Sequence, residues 1–257
     1  MKNKWQEKSV DFRIARKADI PAIAQLYTAC FGDEPAEAEE FLRLFFQSSD
    51  FHLLLAEKNK SVISMLAMIP ARLAKGQNRF YRGFYLYGIS TFPSFRGQGL
   101  SSGLMDLAKK LASSLNYDFL FLVPASESLI SFYEKQGFFT ASPAEMKKPA
   151  CPFPNLFSQT AITPTSHDLA ANPFDPASLT AISLEEYLAL RTNLENVTGV
   201  FSLMEPFRTY ALEMFLEQTG PSFTLPDSLT HQIFPLHDLT LPSSTYFQFP
   251  MDEIPSF

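Results

Sequence analysis

The chain is poor in several things that would each set its class. Two cysteines among 257 residues, Cys30 and Cys151, cannot build a disulfide framework. The hydrophilic start MKNKWQEKSV has no apolar signal core, so they read as free thiols in a reducing cytoplasm. Cys30 falls on an apolar helix face and reads as core. The four histidines, His52, His167, His231 and His237, lack metal-ligand spacing, and no metal site is expected. No uncharged apolar run approaches the ~20 residues of a bilayer span, so no membrane anchor is expected. Basic residues are outnumbered, 21 Lys and Arg against 27 Asp and Glu, and a net charge of −6 argues against a nucleic-acid partner. There is no internal repeat and no low-complexity tract.

What is present is a folding sequence. It is 46% hydrophobic and 19% charged, long enough for one large domain or two small ones. Its most informative stretch is LYGISTFPSFRGQGLSSGLMDLAKKL, Leu86 to Leu111. Tyr85 to Thr91 is strand-like. Phe92 and Pro93 break the ladder, because proline has no N–H to donate. Arg96-Gly97-Gln98-Gly99 follows, and from Ser101 to Leu111 the spacing is helical, with Leu100, Leu104, Leu107, Ala108 and Leu111 on one face. Glycines remove Cβ atoms where a ligand must approach the backbone. The N–H groups of 97 to 101, unpaired at a helix start and aided by the helix dipole, form an anion site with Arg96 at its rim. It is not a P-loop, since no G-K-[ST] follows, nor a dinucleotide fingerprint, which needs G-x-G-x-x-G in a βαβ unit.

In chain order, Asp11 to Arg16 reads as a strand. Asp19 caps a helix to about Phe31 that Gly32 ends. Glu34 to Gln47 is a second amphipathic helix, acidic at its start. Phe51 to Ala56, Ser61 to Leu73 and Arg79 to Thr91 are strands joined by turns at 57–60 and 75–78. Tyr117 to Val123 is a continuous apolar run, read as a buried parallel strand. Ser126 or Ser128 caps the next helix, which stops at Gly137, and Phe138 and Phe139 begin another strand. Prolines crowd 148–176, read as a linker or an ordered arm. Helices are expected from Ser183 to Asn193 and from Pro206 to Gly220, and two short strands within 230–253. The organisation is a domain over 1–148, a linker over 149–178 and a small α/β lobe over 179–257, docked on the first domain because it is small for a core of its own.

R-G-Q-G-L-S, with T-x-P shortly before it, resembles the pyrophosphate-binding motif of the GCN5-related N-acetyltransferase (GNAT) superfamily. PASESLISFYEKQGF resembles the closing segment of the same family, in which F-Y-E-K-x-G-F recurs, and the element order over 11–148 is the family's order. The resemblance implies an α/β fold, a mixed twisted sheet flanked by helices, here with the added C-terminal lobe. It implies acetyl-CoA as cosubstrate, transfer of its acetyl group to a primary amine of a small molecule or peptide, and an arrangement open to a homodimer. Its pyrophosphate would lie on Arg96, Gly97, Gln98, Gly99, Leu100 and Ser101. The pantetheine arm would pair with main-chain groups of Ile89 and Thr91, and Ser126 stands near where the family often has an asparagine. Tyr133 matches the family's tyrosine general acid. The 26 Phe and 9 Tyr serve as core, or in part as an apolar acceptor pocket. Many members carry a glutamate base on the motif strand, but Arg82 to Thr91 has no carboxylate. A water chain, His52, an acid of the second helix or the C-terminal segment remain candidates. In the enhanced-intracellular-survival type, which also ends in phenylalanine, the terminal carboxylate enters the site. Here Asp252, Glu253 and the carboxylate of Phe257 are the corresponding anions. An acyl-CoA-binding protein that has lost turnover is the competing expectation.

Overall fold

The computed structural model describes residues 10–76, 79–140, 200–209, 232–236 and 246–247, and all statements below concern those residues. The chain starts with β1 (Asp11–Ile14), then α1 (Ile20–Phe31) and α2 (Pro35–Phe45). Three long antiparallel strands follow, β2 (His52–Lys58), β3 (Ser61–Gly76) and β4 (Arg79–Thr91). The β2–β3 reversal turns at Asn59 and Lys60, both at positive φ, the twist a two-residue hairpin needs. Then come α3 (Leu100–Ser114), β5 (Phe119–Leu122), α4 (Ile130–Lys135) and β6 (Phe139–Thr140). Element boundaries lie within a few residues of the spacing-based ones. Pro21 sits in the first turn of α1, and Gly32 ends that helix in the left-handed conformation.

The sheet runs β1-β2-β3-β4-β5, then a downstream strand, Gln232–Pro235, and then β6. Its one parallel pair on this path is β4 with β5, as the apolar run FLFL required. That run is continuous because both faces are covered. Phe119 and Phe121 enter the core under α1 and α2, while Leu120 and Leu122 enter the core under α3 and α4. Arg13 ties the first strand down, 2.8 Å from Asp19 at the start of α1 and 2.6 Å from Glu57 on β2.

The downstream strands are β7 (Val200–Leu203), β8 (Gln232–Pro235) and β9 (Tyr246–Phe247). β7 pairs with Ala71–Leu73, where β2 no longer covers β3, and β9 pairs with β7. β8 lies between β5 and β6, antiparallel to both. Phe201 stacks on Phe121 at 4.4 Å, and Phe207 meets Phe45 at 4.6 Å. These described stretches of 179–257 are therefore built into the sheet. The expected linker over 149–178, the helix from Ser183, most of the helix from Pro206 and the acids near the chain end lie outside the described residues.

Gly83 sits opposite Phe119 at the start of the parallel pairing, and a Cβ on it would lie 2.4 Å from the Phe119 ring. Phe119 is fully buried and has nowhere to move. Gly83→Ala is expected to cost about 1–3 kcal/mol in denaturant unfolding. Adding Phe119→Leu should recover part of the loss. An unchanged midpoint in Gly83→Ala would show that the β4–β5 contact is looser than described.

Candidate functional site

The site is built where β4 and β5 part. Their pairing covers Gly83–Phe119, Phe84–Leu120 and Tyr85–Phe121 and then stops. β5 ends at Leu122, just before Pro124, whereas β4 continues along β3 to Thr91. Among the described residues, no strand pairs with the side of β4 that faced β5 from Leu86 onward. Within that stretch Gly88 has φ +58, and the register with β3 jumps from Ala67–Tyr87 to Met65–Ser90. This is a bulge, which twists the strand and re-aims the residues after it.

β4 feeds directly into the glycine loop. Phe92 leads to a short 3-10 turn, Pro93–Phe95, and then to Arg96. Gly97 and Gly99 have φ +77 and +74, and nothing lies within 4 Å of where their Cβ atoms would be. The glycines are thus required by a left-handed backbone, and the space beside them is open to a ligand. Gly99 caps α3, so the N–H groups of the first turn, from Leu100, have no partner inside the helix. Arg96 is exposed, and its Nε donates to the Thr91 carbonyl at 3.2 Å, pinning the loop to the end of β4.

A cleft of about 600 Å³ occupies this junction. Its wall takes Ile89, Ser90 and Thr91 from β4, and Arg96, Gly97, Gly99, Leu100 and Ser101 from the loop and α3. Cys30 and Phe31 close it at the end of α1, with Leu129 and Phe132 opposite. Cys30 packs on one core and Ile89, Leu129 and Phe132 on the other, so the cleft wall draws on both cores. Phe31 is 46% exposed, its ring tilted against that of Tyr27 at 4.6 Å; the Tyr27 and Tyr87 hydroxyls lie 3.2 Å apart, in hydrogen-bond contact.

The other expected residues are not part of this wall. Gln98 is exposed in the loop between the two glycines. Ser126 is exposed beyond the end of β5, its hydroxyl 2.8 Å from that of Ser128. Tyr133 follows Phe132 on α4 but is 7% exposed, packed in the core with Phe138. Burial alone pushes its phenol up to about 12. His52 lies on β2 opposite Met68 and is not among the residues of the cleft wall. Burial lowers its pKa, with Asp50 opposing, and its ring meets Phe84 at 5.8 Å. Glu39 of α2 is paired to Arg43 at 2.7 Å. No Asp, Glu or His lies in the cleft wall among the described residues.

Sequence reasoning did not single out Ser90, Phe31, Leu129 or Phe132 as wall residues. The helical ones carry ordinary core spacing, so no local signal separates them. Ser90 had one signal, a small polar residue in an apolar strand, but its placement depends on the bulge at Gly88.

A family model described as an acetyltransferase (GNAT) domain matches residues 11–141. A comparison with curated proteins gives no match. Among solved structures, the chain is similar to a probable N-acyltransferase of Enterococcus faecalis V583. The identity is 18% and the TM-score 0.47, over 52% of this chain and 33% of that one. This chain thus spans about a third of that relative. It is also similar to a GNAT family N-acetyltransferase of Escherichia coli solved with CoA, at 21% identity and TM-score 0.42, over 51% of this chain and 68% of that one. Glucosamine-6-phosphate N-acetyltransferase of Arabidopsis thaliana matches at 15% identity and TM-score 0.42, over 51% and 91%. The family model spans the strands, the glycine loop and α3 that build the cleft, and the chain belongs to the GNAT acetyltransferase family.

Proposed function

We propose that the protein transfers the acetyl group of acetyl-CoA to a primary amine. The observation that carries this reading is the unpaired edge of β4 running into Arg96-Gly97-Gln98-Gly99 at the start of α3. An extended amide chain ending in a pyrophosphate matches that surface along its length. The arm pairs with main-chain groups of Ile89 and Thr91, and the pyrophosphate meets the amides of Gly97 to Ser101 with Arg96 beside it. Gln98 contributes its main chain, and Ser126 borders the far side of the gap. No metal is assigned a role.

In the reaction the amine nitrogen bonds to the thioester carbon, the carbon–sulfur bond breaks, and the thiolate leaves with its electron pair. The thiolate takes a proton from Tyr133, and the amine gives up one. Burial keeps the Tyr133 phenol protonated across the working pH range, as a proton donor must be. With no carboxylate or imidazole in the described wall, the amine proton passes to water. The acceptor is a small-molecule or peptide amine met in the cytoplasm; a homodimer is compatible with this scheme. That same lack of a base favours one second reading, an acyl-CoA-binding protein without turnover. Coenzyme A release across a panel of amines separates the two: release supports transfer, and tight acetyl-CoA binding with no release for any amine supports the second.

Two substitutions test the parts. Valine at Gly99 must adopt a left-handed backbone it disfavours, so the loop shifts its amides. Gly99→Val is expected to lose several kcal/mol of acetyl-CoA affinity by calorimetry, on the order of a few charge-assisted hydrogen bonds. Unchanged affinity in a folded variant contradicts the assignment. Tyr133→Phe keeps the ring and removes the proton. Turnover should drop roughly 10²-fold with acetyl-CoA affinity and thermal midpoint nearly unchanged. Retained turnover with lowered stability would make Tyr133 a core residue only.

A further inference from the structure

α1 follows β4 along the cleft. Cys30 lies against the end of the strand, its thiol 3.6 Å from the Thr91 carbonyl. Nearly one turn earlier, Tyr27 lies against the bulge. Its ring is 3.6 Å from where a Cβ on Gly88 would be, and its hydroxyl is 3.2 Å from that of Tyr87. Two more rings continue this face. Phe31 and Phe41 lie 4.6 and 5.8 Å from the Tyr27 ring, and Phe41 lies 6.1 Å from that of Tyr87. Phe31 is exposed in the cleft wall, and Tyr27, Phe41 and Tyr87 are half-buried on the core under α1 and α2. An exposed ring in a cleft wall leaves apolar surface in water that a ligand can cover.

We infer that this aromatic face receives the acceptor, and that the acceptor is an amine carried on an aromatic body, an inference that rests on the acetyl-transfer reading above. With the pyrophosphate on the glycine loop and the arm on Thr91 and then Ile89, the acyl end falls next at Gly88 and Tyr87, where Tyr27 stands. Leu100, at the start of α3, and Tyr133 belong to the core under α3 and α4. The side under α1 and α2 is thus the one left to the amine. Arg96, at the pyrophosphate end, is the one charged side chain of the wall among the described residues. A sugar amine would bury hydroxyls against rings, and a polyamine would bring further cations with no carboxylate in that wall to meet them. An aryl group carries neither cost and covers Phe31. For the ammonium there are ring faces and a nearby anion. Burial raises the Tyr87 phenol, the hydrogen bond with Tyr27 opposes this, and the Asp33 carboxylate adds to the rise, so Asp33 stands within electrostatic reach of that end.

Phenethylamine and ethylamine differ by the ring, so the ratio of their kcat/KM values, read from coenzyme A release, isolates this contact. The ratio does not depend on the fraction of folded enzyme or on how tightly acetyl-CoA binds. The wild type should favour phenethylamine at least about ten-fold, the worth of covering one ring. It should also favour it over spermidine and glucosamine. Phe31→Ala should shrink the preference over ethylamine about three- to ten-fold, the worth of one aromatic contact. An unchanged ratio in Phe31→Ala overturns the inference. Turnover of spermidine or glucosamine in preference to phenethylamine overturns the acceptor class alone and leaves acetyl transfer standing. Acetyl-CoA bound with no release for any amine overturns the transfer reading, and the inference with it.

Discussion

Three residue pairs hold β4 beside β5, and the cleft exists because the pairing stops after them. Gly83 faces Phe119, Phe84 faces Leu120 and Tyr85 faces Phe121; beyond Tyr85 the strands part. The contact must be tight to place the fork, which is why one partner is a glycine under a buried ring. It must also be short, because an unpaired strand edge is what an extended amide chain can bind. Proline just after β5 and the bulge at Gly88 both keep the edge from closing.

The same strand carries the rest of the site. Its last residues run into the glycine loop, where Arg96 bonds back to Thr91 and the left-handed glycines turn the chain into α3. Edge, loop and helix start are thus one continuous stretch, from Leu86 to Ser101, with its geometry fixed by β3 on one side. The cores under α1 and under α3 then need only cover the two faces, and each contributes apolar wall to the cleft. The downstream strands complete the frame: β8 covers the open side of β5, and Phe201 of β7 packs against Phe121.

Much of this is legible in the amino-acid sequence. The strand, the proline, the glycine loop and the amphipathic helix each leave a local mark, and the run Tyr117 to Val123 reads as a strand covered on both faces. What is not legible is long-range or depends on one dihedral angle. Nothing near Gln232 announces that it pairs between β5 and β6, because its partners Leu122 and Thr140 are far away in the chain. The bulge at Gly88 resets which residues of β4 face the cleft, and alternation alone cannot reveal it. Tyr133 shows the reverse difficulty: its motif points to chemistry, while its surroundings, Phe132 and Phe138, are those of a core residue.

The central claim is that the bound molecule pairs with the open edge of β4. Amide hydrogen exchange measured with and without acetyl-CoA reads this directly. The account predicts slowed exchange across Leu86 to Ser101, along the strand edge and the first turn of α3, with little change in β2. Binding without added protection in that stretch, or protection confined to the loop, would contradict it.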